Sequence, residues 1–237
     1  MLPFVSFVTA TYARPPLRLR LLDELVYWFT RQDYPADRRE LLILNDAPGQ
    51  ELTCPVPGVR VVNAPARYPT LGDKLNALSD LAAGEVILPQ DDDDVPLPHR
   101  ARQAVERLGG ADYWNPQASW YEDAAGLHAD HAHGVCHNAG AFRAGKLRYP
   151  PVSGSQDAAA DAWAKAHLRV SPAVLSAPAE WSYVYRWGVS DVHLSGFRDP
   201  EAAYSSVPAP VPGRYRITPR MGRDYVLLTR ATDKTPT

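Results

Sequence analysis

The sequence has few of the features that mark secreted or membrane-spanning proteins. Its 237 residues include two cysteines. Cys54 and Cys136 are far apart, at a spacing that matches no metal or redox motif, so we expect both to be reduced thiols. No apolar run approaches the roughly 18 residues that a membrane-spanning helix needs. The apolar N-terminus, residues 1–10, lacks the positively charged segment that opens a signal peptide. These absences predict a soluble, cytoplasmic protein.

The chain also lacks a strong charge of either sign. The formal net charge is −2, from 25 lysines and arginines against 27 aspartates and glutamates. This balance excludes a globally basic nucleic-acid binder but leaves local basic patches open. The apolar content of 45% is enough for a sizeable core. The length fits one large α/β domain, alone or with a small appendage.

Short apolar runs alternate with segments that carry leucines at helical spacing in the first half of the chain. They predict strands at 4–9, 40–44, 59–62 and 86–88, and helices at 17–30, 70–83 and from about 98 to 108. This order predicts a largely parallel sheet covered by helices, with a ligand crevice at the carboxyl ends of the strands. Thr11, Asp46 and the run Asp91–Asp94 each follow a predicted strand. We therefore expect them to converge.

The second half of the chain is less regular. Residues 112–150 mix aromatics, histidines and glycines, which is typical of short strands and loops that form a site. A helix is predicted at 157–167, and a strand followed by a loop at 183–195. A proline-rich joint at about 205–212 leads into a tail that is locally basic.

Four consecutive aspartates after a buried strand are costly unless a cation neutralises them. Neighbouring like charges repel and raise one another's pKa. A hard divalent cation with oxygen ligands relieves this repulsion, and such ions often bridge to phosphates. The alternative is a solvated acidic loop. Because the run Asp91–Asp94 directly follows a buried strand at the expected crevice, we favour a metal site.

Four motifs in residues 1–100 carry a resemblance to a known family. They are Val8–Pro15, Leu42–Asp46, Gly72–Leu78 and Gly84–Asp94. In order and spacing they resemble the nucleotide-binding half of family 2 glycosyltransferases of the GT-A fold. The resemblance implies an α/β fold with a Rossmann-like nucleotide-binding half and a mixed, mostly parallel sheet with helices on both faces.

The resemblance also implies a division of the chain. Residues 1–204 would form one GT-A domain. Its nucleotide-sugar-binding half would be 1–100 and its acceptor and catalytic half 101–204. Residues 205–237 would be the proline-rich joint and basic tail.

The resemblance assigns roles to residues of the first half. The expected donor is a UDP-sugar. The residues that would contact it are Thr11, Tyr12, Arg14, Asp46, Lys74, Asp91 and Asp92. Asp46 would accept a hydrogen bond from the base, and Lys74 would approach the pyrophosphate. Asp91 and Asp93 would form the Asp-x-Asp motif. Asp93 would be the direct ligand of Mn²⁺ or Mg²⁺, and Asp91 would face the ribose or donor sugar.

The second half matches the family more loosely. Gly134–Arg143 resembles the strand and small-residue turn under the donor sugar. Ser153–Asp157 lies where inverting members carry a Glu-Asp pair, with Gln156 replacing the glutamate. Asp157 would then be the general base, because inversion needs a base within reach of the attacking hydroxyl. The alternative is that Asp157 only caps the following helix, and Asp161 is the second candidate for the base.

A late histidine completes the set that the resemblance implies. Trp181–Gly188 is similar to a segment of some bacterial and phage-type members, and His193 follows it. His193 would supply a second protein ligand to the metal. The alternative is that His193 has a structural role and binds no metal.

Three other readings stay open at the level of sequence. A metallohydrolase could use His128, Asp130, His131 and His133, which are all possible zinc ligands and lie close together in the sequence. A relative that binds nucleotide sugar without catalysis is another alternative. For the transferase itself, the acceptor hydroxyl could belong to a glycan or to a hydroxymethylated pyrimidine in phage DNA. The DNA hypothesis depends on arginines that could bind phosphates and tyrosines that could stack on bases, namely Arg214, Arg216, Arg220, Arg223, Tyr215 and Tyr225.

Overall fold

A computed structural model describes residues 1–12, 17–130, 137–188, 198–206 and 212–233. The strands are β1 (Val5–Thr11), β2 (Arg39–Asn45), β3 (Gln50–Thr53), β4 (Val59–Asn63), β5 (Val86–Pro89), β6 (Val95–Pro96), β7 (Tyr113–Trp114), β8 (Ser119–Asp123), β9 (Gly126–Asp130), β10 (Ala141–Arg143), β11 (Tyr183–Arg186) and β12 (Gly213–Arg216). The helices are α1 (Leu17–Thr30), α2 (Leu71–Leu81), α3 (Arg100–Leu108), α4 (Gln156–His167), α5 (Pro200–Ser206) and α6 (Tyr225–Asp233), with short 3₁₀ turns at Ala36–Arg38, His137–Ala139 and Pro178–Glu180. None of these helices is both long and apolar enough to cross a membrane.

The central sheet has the strand order β4-β2-β1-β5-β10-β7. Strands β4, β2, β1 and β5 are parallel to one another, whereas β10 is antiparallel to both β5 and β7. Strand β1 pairs with β2 on one side and with β5 on the other, so the strand order reverses at β1. In open α/β sheets this reversal of strand order leaves a crevice beyond the carboxyl ends of the two central strands.

Helices cover both faces of this sheet because successive side chains of each strand point to opposite faces. Val5 and Phe7 of β1 belong to the core cluster that includes the apolar side chains of α1 and α3. Val8 belongs to a second cluster, which includes side chains of α2 and α4. The prediction of a mixed, mostly parallel sheet with helices on both faces is therefore confirmed.

A second sheet, of order β6-β11-β8-β9, stands beside the first. Trp120 of β8 and Val184 of β11 face the large core cluster, to which Tyr225 of α6 also belongs. Tyr121 and Tyr185 alternate with them and lie on the opposite face. This sheet therefore has one face in the core and one directed away from it.

The C-terminal tail packs against the first half of the chain. Strand β12 pairs in parallel with β3, so that Gly213 lies opposite Gln50 and Arg216 opposite Thr53. Farther on, the backbone N–H of Thr218 donates to the Asp23 carboxylate on α1. The tail thus packs on the outside of the first half of the chain.

Candidate active site

The crevice between β1 and β5 brings two of the sequence-predicted residues into direct contact. Thr11, the last residue of β1, donates its hydroxyl proton to the Asp92 carboxylate at 2.5 Å. Asp92 belongs to the acidic run that follows β5, and both side chains are buried. The run Asp91–Asp94 therefore lies at the point where the strand order reverses.

Asp46 and Lys74 form a buried ion pair next to Thr11. The Lys74 ammonium donates to the Asp46 carboxylate and to the Thr11 carbonyl, each at 2.5 Å. The second oxygen of Asp46 accepts the backbone N–H of Tyr68 at 3.0 Å. Burial lowers the pKa of Lys74, and the Asp46 carboxylate opposes that shift. In this structure Lys74 is thus paired with Asp46.

Tyr12 packs against the guanidinium of Arg67, which also packs against Tyr204. The Arg67 guanidinium lies 4.5 Å from the Tyr12 ring centre and 4.1 Å from that of Tyr204 on α5. Arg67 also donates to the Tyr204 carbonyl at 2.5 Å. Sequence reasoning missed both Arg67 and Tyr204, because neither lies in a recognisable motif. Arg14, also predicted to line the nucleotide, lies outside the described residues.

Asp91 faces the turn that precedes β10. The Asn138 side-chain amide donates to its carboxylate at 2.5 Å. Burial, followed by the charges of Asp94, Asp93 and Asp92, raises the pKa of Asp91 well above its usual value. The crowded carboxylates are thus short of compensating positive charge, and a bound cation would relieve this.

Asp94 is held by β11 and differs in this respect from its neighbours in the run. The Tyr183 hydroxyl donates to its carboxylate at 2.7 Å and the Arg186 backbone N–H at 2.8 Å. Burial and the Asp93 charge raise the pKa of Asp94 to about 8. These contacts give Asp94 a structural role, in which it anchors the acidic loop to the second sheet.

Arg186 lies beneath the acidic loop, where sequence reasoning did not place it. Its guanidinium is buried, donates to the Asp93 backbone carbonyl and pairs with Glu24 of α1 at 2.5 Å. Asp93 itself is 7% exposed. Because a buried charge requires a partner, Glu24 and Arg186 together fix the backbone on which Asp93 sits.

Arg100 at the start of α3 fixes the opposite wall of the crevice. Its fully buried guanidinium donates to the carbonyls of Pro89 at 2.6 Å, Asn138 at 2.6 Å and Ala139 at 2.7 Å. It therefore joins the end of β5 to the turn that holds Asn138. Gly140 in that turn is required by close approach, because a Cβ there would lie 2.4 Å from the Trp114 carbonyl oxygen.

Asp157 lies in the first turn of α4, partly buried. Its carboxylate accepts the backbone N–H of Ala158 at 2.8 Å. Ser155, at the N-cap position, makes no capping hydrogen bond with its side chain. Burial raises the pKa values of Asp91 and Tyr149, and the Asp157 charge adds to both shifts.

The loop before α4 is tied to both α2 and α5. The backbone N–H groups of Ser153 and Gly154 donate to the Glu201 carboxylate, the latter at 2.9 Å. The backbone N–H of Leu71 donates to the Ser153 hydroxyl at 3.1 Å, and that of Gly72 to the Val152 carbonyl at 3.0 Å. The start of α4 is therefore fixed relative to the α2 helix that carries Lys74.

Asp161, the second candidate for the base, lies in a buried network. Its carboxylate accepts from the Tyr113 hydroxyl and the Asn115 amide at 2.7 Å each, and pairs with Lys165 at 2.6 Å. Tyr113 in turn contacts His137, which lies 2.9 Å from the Tyr113 hydroxyl. With 4% of its surface exposed, Asp161 organises this network and has little access to an acceptor.

Burial in this network lowers the pKa of His137 to about 4. In the unfolded chain the imidazole titrates near 6.5. The unfolded state therefore takes up this proton first as the pH falls. The contribution of His137 to stability is complete above about pH 6.5 and decreases between 6.5 and 4, by about 3 kcal/mol in total.

We expect His137→Gln to flatten this pH dependence, since glutamine retains a donor and an acceptor but does not titrate. Urea unfolding of both proteins between pH 7 and pH 4 measures the effect. The free energy of unfolding should decrease more steeply in the wild type than in the variant. Parallel curves would contradict the assignment.

The histidines proposed for a metallohydrolase or a late metal ligand are mostly outside the described residues. His131, His133 and His193 belong to that group, as does the side chain of Asp130. His128 is described, and its ring lies 5.0 Å from that of Tyr121. Within the described ranges, no three histidines, cysteines, aspartates or glutamates are grouped to hold a metal ion by themselves.

Two arginines of the basic tail form ion pairs with glutamates elsewhere in the chain. Arg214 pairs with Glu51 at 2.6 Å, and Arg223 pairs with the buried Glu122. The ring of Tyr225 is 1% exposed. Tyr225 is therefore not available to stack on a base in this structure, contrary to the expectation for a DNA acceptor.

Cys54 is partly buried, and burial raises the pKa of its thiol. Cys136 lies outside the described residues.

No protein-family model and no curated protein matches the sequence. Solved structures do match the fold. The 1–349 fragment of S. aureus TarS in complex with UDP-GlcNAc superposes with a TM-score of 0.64 and 16% identity over 85% of this chain and 64% of that one. The same fragment with UDP gives 0.60 and 15%, over 77% and 60%. This chain has the GT-A glycosyltransferase fold.

A second GT-A neighbour is the mannosyltransferase PcManGT from Pyrobaculum calidifontis, in complex with GDP-Man and Mn²⁺. It matches with a TM-score of 0.51 and 17% identity, over 78% of this chain and 57% of that one. The chain thus spans about 60% of the length of the TarS fragment. At these identities the likeness shows the fold.

Proposed function

We propose that this GT-A protein transfers a sugar from a nucleoside-diphosphate sugar to an acceptor hydroxyl. The proposed donor is a UDP-sugar. The observation that carries the proposal is the Thr11–Asp92 contact at the reversal of strand order. It places the acidic run at the crevice where open α/β sheets bind ligands. Structural neighbours that contain UDP-GlcNAc or GDP-Man support the same class of donor.

The nucleoside would lie against Thr11, Tyr12 and Asp46. A carboxylate has about four lone-pair sites. Asp46 thus has lone pairs left beyond its bonds with Lys74 and Tyr68, but at 1% exposure it would accept the base N–H only after neighbouring side chains move. Lys74 would act through this ion pair, or reach the pyrophosphate after a rearrangement of its side chain. Arg14 completes the nucleotide-contacting set implied by the resemblance.

The acidic run fits a divalent cation by its chemistry. It offers carboxylate oxygens, and burial together with the charges within the run raises the pKa values of Asp91 and Asp94. The absence of a three-ligand protein cluster in the described ranges is also consistent, because Mg²⁺ is usually held by one or two carboxylates plus substrate phosphates. Asp93 would be the protein ligand, with His193 as a second. When bound, Mn²⁺ or Mg²⁺ would neutralise charge on the leaving diphosphate.

Asp157 would act as the general base. Its carboxylate takes the proton of the acceptor hydroxyl while that oxygen bonds to the anomeric carbon and the bond to the diphosphate breaks. Attack from the face opposite the leaving group inverts the configuration of that carbon. Asp91 would bind the ribose or donor sugar, oriented by the Asn138 amide.

Calorimetric titration of UDP, UDP-GlcNAc and GDP-mannose, with Mn²⁺ and with chelator, tests the donor site directly. We expect Asp93→Ala to weaken metal-dependent binding of UDP by tenfold or more, about 1.4 kcal/mol. Asp80→Asn is the matched control, because Asp80 is an exposed aspartate paired with Arg148. Binding that is insensitive to both chelator and Asp93→Ala would contradict the metal assignment, and no binding of any nucleotide would contradict the proposal.

A further inference from the structure

A row of four aromatic side chains crosses the second sheet, and two of them, His128 and Trp187, are exposed. Tyr185 of β11 lies opposite Tyr121 of β8, which lies opposite His128 of β9. The Tyr121 and Tyr185 rings are stacked with centres 5.7 Å apart, and Trp187 lies 6.4 Å beyond Tyr185. We call these four residues the aromatic strip.

The strip is continuous with the candidate active site. Tyr183, Tyr185 and Trp187 alternate along one face, and exposure increases from 2% at Tyr183 to 36% at Trp187. The Tyr183 hydroxyl holds Asp94 of the acidic run. Tyr183 and Tyr185 also pack against Ala139, which follows the Asn138 that holds Asp91. A molecule lying on the strip would therefore extend directly to the donor crevice.

The two outer members of the strip, His128 and Trp187, are exposed, whereas Tyr121 and Tyr185 between them are partly buried. Cross-strand aromatic pairs stabilise a sheet, and the opposite face already buries Trp120 against Trp181 in the core. Contiguous exposed aromatic rings mark binding surfaces. Tyrosine and tryptophan suit such surfaces because each combines a large apolar face with a polar edge.

Among the described residues of β8, β9 and β11, the charges favour a neutral ligand. The one arginine in β8, β9 and β11 is Arg186, which faces the core side and pairs with Glu24. Asp123 lies two residues from Tyr121 on the face of the strip. Nucleic acids need lysines or arginines to neutralise their phosphates. This face offers a carboxylate instead, which can accept hydrogen bonds from hydroxyl groups.

We infer that the aromatic strip is the acceptor platform and that it binds a neutral saccharide. The C–H face of a sugar ring packs on the aromatic faces, and its hydroxyl groups remain free to reach polar groups and Asp157. The inference rests on the proposed glycosyl transfer for its role. The binding of saccharide by the strip can be measured independently of that reaction.

Saturation-transfer NMR and calorimetry with chito-, manno- and maltooligosaccharides and a single-stranded DNA oligonucleotide test it. We expect at least one neutral oligosaccharide to bind with saturation transfer from aromatic protons. Trp187→Ala and Tyr185→Ala should each weaken that binding by about tenfold. Trp163→Ala should leave it within about twofold, since Trp163 is 43% exposed on α4 but is not part of the strip.

The result that would overturn the inference is no binding of any neutral oligosaccharide, binding that both strip variants leave unchanged, or tighter strip-dependent binding of DNA. Circular dichroism and the thermal midpoint of each variant establish that it is folded. UDP binding is measured on the same samples. If UDP binds and the strip variants have no effect, the strip inference fails alone. If oligosaccharide binding depends on the strip and no nucleotide binds, the proposed transfer fails and the saccharide site stands.

Discussion

Asp157→Asn is expected to lower kcat for sugar transfer by about 10²- to 10⁴-fold, the range that general acid–base catalysis contributes. Asparagine can still accept the Ala158 backbone N–H that Asp157 accepts at the start of α4. It cannot take the proton of the attacking hydroxyl. The start of the helix and the donor site should therefore be retained, with UDP binding within about twofold of the wild type.

The comparison that decides this prediction is between Asp157→Asn and Asp80→Asn. Asp80 lies on the exposed side of α2 in an ion pair with Arg148 at 2.6 Å. Initial rates at saturating donor, together with UDP affinity, separate a loss of catalysis from a loss of binding. Full turnover in Asp157→Asn would show that Asp157 is a helix-start residue and not the base.

Gly72→Ala is expected to destabilise the protein by about 3 kcal/mol, as overpacking of a close contact does. A Cβ on Gly72 would lie 1.8 Å from the Pro150 carbonyl oxygen. Relief of that contact requires α2 to separate from the loop that leads to Asp157. The effect is opposite to that in an open helix, where alanine is more stable than glycine by up to about 1 kcal/mol.

Gly110→Ala is the matched control for this prediction. No atom lies within 4 Å of a Cβ built there. We expect its free energy of unfolding in urea to be unchanged or raised by about 0.5 kcal/mol. Equal stability of the two variants would mean that α2 and the 150–154 loop are not closely packed.

The longer strands and the helices of the first half could be predicted because each has a strong local pattern, whereas the short strands β3 and β6 were not predicted. The apolar run before Asn45 reads as a buried parallel strand, and helix α1 was predicted at the bounds the structure has, Leu17–Thr30. The pairing of β12 with β3 could not be predicted, because both strands are four residues long and lie about 160 residues apart.

The hydrogen-bond partners of the four aspartates also could not be predicted from the sequence. All four follow the same strand, yet Asp92 binds Thr11, Asp91 binds Asn138 and Asp94 binds Tyr183. These partners come from distant parts of the chain. The burial of Arg100 was not predicted either, because an arginine at the start of an amphipathic helix is ordinarily exposed.

Acceptor-stimulated release of nucleoside diphosphate is the measurement that tests the central claim most directly. The protein is incubated with a panel of nucleotide sugars and Mn²⁺, with and without chelator, in the presence of the oligosaccharide that binds the aromatic strip. The account predicts chelator-sensitive release from one donor, formation of an equal amount of extended oligosaccharide, and loss of both in Asp93→Ala but not in Asp80→Asn. Absence of release from every donor, or release that Asp93→Ala leaves unchanged, would contradict it.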